Sequence, residues 1–293
     1  MTRPLHVALL QHACSDDPAK NLETVVDMTR EAAGRGAKLI VTQELFKSLY
    51  FCVTEDPAAF DLAEPIPGPT TQTLSELAEE LGVHISASLF ERRAAGLYHN
   101  TSVLIDPAGQ ISGKYRKMHI PDDPSYLEKY YFTPGDLGFS AHRVGDGPNA
   151  PSIGMLVCWD QWFPEGARLT AMQGAELLLY PTAIGWHRDD TPDDHQAQRE
   201  AWITIQRSHA IANGVFVASP NRIGQEGVNT FWGSSFIADP LGRILAQASS
   251  DQQEILTAEL DLSLVEHHRR NWNLFFRDRR PDAYAGITQR WLG

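Results

Sequence analysis

Gly154-Met155-Leu156-Val157-Cys158-Trp159-Asp160-Gln161-Trp162-Phe163-Pro164-Glu165 reads as a buried strand that runs into a thiol and then into a helix. Ile153, Met155, Leu156 and Val157 are apolar up to Cys158, and polar and aromatic residues follow. Pro164-Glu165 suits a first helical turn, where proline gives up no hydrogen bond and an acid meets the positive end of the helix. The helix runs towards Gly174, and Glu176 to Pro181 supplies the next strand, giving a β-α-β unit. A crossover of this kind makes the strands parallel, and ligands gather beyond their carboxyl ends. Cys158 lies there, near amides able to hold a negative charge. The local pattern fits an inert core thiol equally well, because free cysteine is among the most buried residue types.

The chain opens with a similar unit. Leu5 to Leu10 is a strand, Pro18 to Gly36 carries Leu22, Val25, Val26, Thr29, Ala32 and Ala33 at helical spacing, and Lys38 to Thr42 is a strand that delivers Glu44 at its carboxyl end. A solvated strand-end acid is the alternative for Glu44. Further on, Thr70 to Leu81 is an amphipathic helix stopped by Gly82, His84 to Phe90 is a strand, Asp194 to Gly214 is a longer helix and Val215 to Ala218 a further strand. Thr101-Ser102-Val103-Leu104-Ile105-Asp106-Pro107-Ala108-Gly109-Gln110-Ile111 and Ser234-Ser235-Phe236-Ile237-Ala238-Asp239-Pro240-Leu241-Gly242-Arg243-Ile244 share one hairpin pattern. With the two β-α-β units this predicts two similar halves. The halves differ in function, since Lys117, just past the first hairpin, falls opposite Ser250 in the second.

A length of 293 residues suffices for one large α/β domain or two small ones. The net charge of −12 argues against sequence-independent nucleic-acid binding, which needs a basic footprint. No apolar run reaches membrane-spanning length, and Leu5 to Leu10 is too short for a signal-peptide core. Cys14, Cys52 and Cys158 make neither a disulfide framework nor a zinc spacing, which fits a reducing, cytoplasmic setting. His187, Asp189, Asp190, Asp193, Asp194 and His195 form the one cluster suggestive of a metal, but acids before a helix are accounted for by its dipole. The basic stretch from Lys114 to His119 has a solvated charge run as its plain reading. Pro121 to Gly147 is a long connection of the kind that is more often functional than idle.

Glu44, Lys117 and Cys158 together supply a base, a positive charge and a nucleophile. A thiol attacks as thiolate and gains from a nearby base and cation, and the oxyanion formed at an amide-like carbonyl needs a cation or amide donors aimed at it. They are far apart in sequence, so spacing alone does not bring them together.

Gln43-Glu44-Leu45-Phe46, Tyr115-Arg116-Lys117-Met118-His119-Ile120-Pro121-Asp122 and Val157-Cys158-Trp159-Asp160-Gln161-Trp162-Phe163-Pro164-Glu165 resemble the carbon–nitrogen hydrolase (nitrilase-like) superfamily, and the likeness runs over nearly the whole chain. The resemblance implies an α/β fold, a four-layer αββα sandwich of two similar halves, with residues 1–293 as one domain. It implies a homo-oligomer, with the aromatic tail from about 262 to 293 packing at a subunit interface, and neither cofactor nor metal. It maps a Glu-Lys-Cys triad onto Glu44, Lys117 and Cys158, a second, orienting glutamate onto Glu128, and an oxyanion donor onto the Trp159 backbone N–H.

Ser48-Leu49-Tyr50-Phe51-Cys52, Tyr180-Pro181-Thr182-Ala183-Ile184-Gly185 and Asn221-Arg222-Ile223-Gly224 narrow the likeness to the branch acting on N-carbamoyl amines. The implied substrate is N-carbamoylputrescine, a cationic small molecule of polyamine biosynthesis, hydrolysed to putrescine, carbon dioxide and ammonia. Other amidase substrates of the superfamily, or a non-catalytic scaffold, are the alternatives. For the distal ammonium the expected partners are Asp122 and Tyr50, with Asp123 behind them. Trp186-His187-Arg188 replaces the Ser-Glu-Pro of that branch, which places Trp186 and His187 among the expected substrate contacts.

Overall fold

The computed structural model describes residues 2–147, 149–272 and 274–291. Strand alternation sets its layers. In β1 (Pro4–Gln11) Val7 and Leu9 point to one side, into the core shared with the second sheet, while Ala8 and Leu10 point to the other, against helices. β2 (Leu39–Val41) repeats this, with Leu39 and Val41 inward and Ile40 outward. With β3 (His84–Ala94), β4 (Leu97–Ile105), β5 (Ile111–Arg116) and β15 (Glu254–Asp261) they form a six-stranded sheet in the order β15-β1-β2-β3-β4-β5. β6 (Ala141–Arg143), β7 (Ser152–Met155), β8 (Leu177–Leu179), β10 (Phe216–Ser219), β13 (Phe236–Ala238) and β14 (Ile244–Gln247) form the second, in the order β14-β13-β10-β8-β7-β6. The three parallel strands β7, β8 and β10 correspond to β1, β2 and β3, and the hairpin β13-β14 corresponds to β4-β5. The Ser102 hydroxyl reaches the Met155 sulfur at 3.7 Å, so the sheets meet face to face.

Helices cover the outer faces. α1 (Pro18–Gly34) and α2 (Pro69–Leu81) seal the first sheet through Val25, Met28, Ala32, Leu74, Leu77 and Ala78. Asp17 caps α1 by accepting the Ala19 and Lys20 amides, and Pro18 occupies its first turn. α4 (Pro164–Met172) and α5 (Pro192–Asn213) cover the second sheet. Gly154 permits that packing, since a Cβ there would lie 2.1 Å from Thr170 Cγ2 on α4. The architecture is the four-layer αββα sandwich. No helix among the described residues is long and apolar enough to cross a membrane.

Several details differ from the sequence reading. The strand expected to run into the thiol ends at Met155, because the Val157 amide turns to Asp160 Oδ2 and Cys158 begins a single 3₁₀ turn, Cys158–Trp162. β3 and β4 are longer than expected and join in a tight hairpin at Ala95-Gly96. α5 starts at Pro192, where Thr191 and Asp194 form a capping box, so Asp194 serves the helix end. The basic run before Lys117 is no solvated patch: Arg116 pairs with Glu91 and Asp136, and Lys114 with Glu91. The connection from 121 holds a short helix, α3 (Glu128–Tyr131), and β6. A small sheet of β9 (Gly185–His187), β11 (Ile223–Glu226) and β12 (Asn229–Trp232) stands beside the second sheet. In the tail, α6 (Ser263–Asn271) is tied to α5 by Arg269, which donates to the Asn213 carbonyl, while Trp272, Phe275, Ile287 and Trp291 stand exposed on the single chain.

Candidate active site

Glu44, Lys117 and Cys158 arrive from three strand ends at one edge of the sandwich: Glu44 from beyond β2, Lys117 from the residue after β5, Cys158 from beyond β7. All three are buried. Lys117 Nζ lies 2.8 Å from Glu44 Oε1 and 2.9 and 2.7 Å from the two Glu128 oxygens, so its three N–H donors face carboxylates. Glu44 Oε1 also accepts from Asn100 Nδ2 at 2.7 Å. Glu44 Oε2 is buried and accepts from nothing among the described residues. A buried carboxylate oxygen without a donor is costly, and an oxygen so placed has a lone pair free to accept a proton.

The electrostatics of the cluster follow from one ammonium facing two carboxylates in a dry site. Burial alone would lower the Lys117 pKa, but the charges of Glu128 and Glu44 hold it well above the ordinary lysine value, so it stays a cation. Burial and the Glu44 charge push Glu128 up to about 7, against the pull of Lys117 and the Tyr50 hydroxyl. Burial, then Glu44, raises Cys158 well above the ordinary thiol value, while Lys117 and the Ala183 amide act in the other direction. Cys158 therefore rests as a thiol, and a thiol that is to attack a carbonyl must give its proton to a base.

The backbone aims these groups. Cys158 has φ +42°, a left-handed conformation that a non-glycine residue adopts at a cost of order 1 kcal/mol. Its amide donates to the Pro181 carbonyl at 2.9 Å. Trp159, second in the 3₁₀ turn, has no acceptor for its N–H within that turn, which leaves the amide available to an oxyanion. Buried Asp160 ties the turn to the lysine segment, accepting from Val157 N, Tyr115 O–H, His119 N and His119 Nδ1 at 2.7–3.0 Å. Glu44 is held from behind by Arg222, fully buried, which donates to the Glu44, Leu45 and Ser48 carbonyls at 3.0, 2.9 and 3.3 Å and pairs with Glu226 at 3.0 Å. Glu226 in turn accepts the Tyr50 amide at 2.5 Å.

Cys158 opens onto a cavity of about 550 Å³ whose wall also includes Glu128, Trp159, Asp123, Tyr126, His187, Asp190 and Gln198. Three expected substrate contacts lie elsewhere. Asp122 is half exposed and faces Lys129 at 3.8 Å, outside that wall. Tyr50 is buried behind the cluster, where its hydroxyl donates to Glu128 Oε1 at 2.6 Å. Trp186 stacks on His195 with ring centroids 4.5 Å apart and packs against Trp232, away from the lining. His187 does line the cavity. Sequence reasoning missed Asn100, Tyr126, Asp190 and the Arg222–Glu226 pair. Asn100 immediately precedes the quoted hairpin, and Arg222 stood in a quoted segment without a role.

A family model described as carbon-nitrogen hydrolase matches residues 6–270. The chain is 44% identical to an N-carbamoylputrescine amidase of Solanum lycopersicum, over 96% of this chain and 94% of that one. It is 41% identical to a citrullinase of Francisella tularensis subsp. tularensis, over 98% and 99% of the two chains. A crystal structure of a carbon-nitrogen hydrolase from Helicobacter pylori G27 superposes with a TM-score of 0.94 at 45% identity, covering 99% of this chain and 100% of that one.

Proposed function

This chain belongs to the carbon–nitrogen hydrolase family, and from that premise we propose that it hydrolyses an N-carbamoyl amine by thiol catalysis, with N-carbamoylputrescine as substrate. The observation that carries the mechanism is the unpartnered Glu44 Oε2 in a cluster with Lys117, Glu128 and the Cys158 thiol. Glu44 takes the Cys158 proton as the sulfur attacks the carbamoyl carbon. The oxyanion is stabilised by the Trp159 amide and by Lys117, whose bidentate contact with Glu128 can release one N–H. Ammonia leaves with the proton from Glu44; water deprotonated by the same carboxylate then adds to the S-carbamoyl carbon, the C–S bond breaks, and Glu44 returns the proton to the departing Cys158 sulfur. The carbamate released loses carbon dioxide to free the amine. Lys117 and Glu128 hold the base in register throughout.

The substrate reading is supported by the relatives named above and by the charge of the cavity wall. Asp123 and Asp190 line it, and among the described residues no lysine or arginine does. Citrulline, which the Francisella relative's name suggests, carries a carboxylate that such a wall does not pair. The exposed aromatic residues of the tail support assembly into homo-oligomers.

The test is ammonia release from N-carbamoylputrescine, citrulline, a β-ureido acid and an aliphatic amide, with Cys158→Ala and Cys158→Ser as controls. The cationic ureide is expected to have the highest kcat/KM, and both variants to lose turnover while keeping the wild-type circular dichroism spectrum. Preference for citrulline would reassign the substrate, and substantial turnover by Cys158→Ala would remove the mechanism.

A further inference from the structure

We propose that Asp190 is the counter-ion for the distal ammonium of the substrate and sets the preference for cationic ureides; this rests on the reading of the site as an N-carbamoyl amine hydrolase. Asp190 lines the cavity onto which Cys158 opens. It is half-buried, at the end of the loop that leads from β9 into α5. Its carboxylate is fixed by two donors that both reach Oδ2, the His187 backbone N–H at 2.8 Å and Gln198 Nε2 at 3.2 Å. Its own amide donates to the His187 carbonyl at 3.0 Å. Oδ1 accepts no hydrogen bond among the described residues, and no lysine, arginine or histidine there forms an ion pair with Asp190. The His187 ring is turned to Asp189, 3.4 Å away, and Arg199 lies over the Trp186 ring. A carboxylate held still, with one oxygen free in a partly dry wall, gives charge-assisted recognition of an ammonium.

Tyr126 connects this carboxylate to the reacting end. Its hydroxyl is anchored to Gly185, accepting that residue's N–H at 3.0 Å. Tyr126, Cys158 and Asp190 line the same cavity, and burial raises the Tyr126 phenol, so it stays neutral there. Asp123, the other carboxylate of the wall, is exposed and has no side-chain donor fixing it among the described residues, which suits it to a control.

The experiment compares 4-aminobutylurea, which is N-carbamoylputrescine, with the uncharged butylurea in the wild type, Asp190→Asn, Asp190→Glu and Asp123→Asn. The readout is the ratio of kcat/KM for the cationic over the neutral ureide. In Asp190→Asn this ratio is expected to fall about tenfold or more, mainly through KM. Asp190→Glu is expected to retain more of the ratio than Asp190→Asn, and Asp123→Asn to change it by less than about twofold. Equal losses on both ureides in Asp190→Asn, or a ratio that falls in Asp123→Asn instead, would overturn the assignment while leaving the proposed reaction intact. Failure of the wild type to turn over either ureide would overturn the reaction itself, and the assignment with it.

Discussion

Glu128 has the most testable electrostatics in the cluster. Two carboxylates and one ammonium share a buried site, so the ionised cluster carries an excess negative charge, and a proton enters as pH falls through about 7, where burial and Glu44 have raised Glu128. That proton belongs to the pair as a unit and removes basic capacity from it. The kcat/KM profile should therefore have an acid limb near neutrality, with activity present above it and lost below. Glu128→Gln removes the repulsion that draws the proton in, so its limb should move to lower pH by roughly one unit or more, even if the plateau is also lower. An unmoved limb would mean that the observed titration lies elsewhere. At this scale the sequence discloses residues with distinctive chemistry: Cys158 and Glu44 stand out by type and by their place at strand ends, Lys117 by following only one of the two similar hairpins, and the family likeness joins the three. Glu128 came only from family likeness, since an acid on a loop has no pattern of its own. Asp122 falls outside the cavity wall for a related reason. Direction along an irregular loop is set by turns such as the Tyr126 N–H to Asp123 carbonyl bond, and no periodicity reports it.

Between residues and the whole lies the segment from Glu44 to Tyr50, which is neither helix nor strand and still holds the base within hydrogen-bond reach of Lys117. Leu45 has φ +47°, and the segment keeps its shape because Arg222, the residue before β11, binds three of its carbonyls and Glu226 its Tyr50 amide. Arg222→Met leaves Glu226 buried without its partner, which costs about 3–5 kcal/mol. The double variant Arg222→Met with Glu226→Gln should recover much of that stability in thermal melts. Its kcat should still be reduced roughly ten- to a hundredfold, with a smaller effect on KM, because the base is no longer positioned. Full kcat in the folded double variant would restrict the clamp to a structural role. The hairpins, the parallel strands and α1 and α2 were readable because alternation, helical spacing and Gly/Pro punctuation are local signals. The clamp was not, since residues 178 positions apart in sequence meet only after both sheets have formed.

Joining two similar halves face to face makes one site rather than two. The first half supplies Glu44, Asn100, Lys117 and Glu128, the second supplies Cys158, and the Glu44 amide approaches the Thr182 carbonyl of the second half at 3.4 Å. The hairpin repeat made this asymmetry visible, because Lys117 had no counterpart opposite it. The interface between the sheets therefore has to hold the halves together, while the local network around Asp160 and Arg222 has to hold the chemistry in place. Leu177 separates these tasks. It is fully buried in the core, at the amino end of β8, opposite in strand direction to the ends that bear the site, and it pairs with Ile153 and Phe216. Leu177→Ala removes apolar volume that the two sheets cannot close over. It should cost about 2–5 kcal/mol and lower Tm by roughly 5–10 °C in calorimetry. Well below that Tm, kcat should stay within about twofold of wild type, because the bonds that aim Cys158 and Glu44 are made by other residues. A large loss of kcat in folded Leu177→Ala would show that the catalytic geometry depends on the packing of the whole sandwich, so that neither half can be changed without moving the site between them.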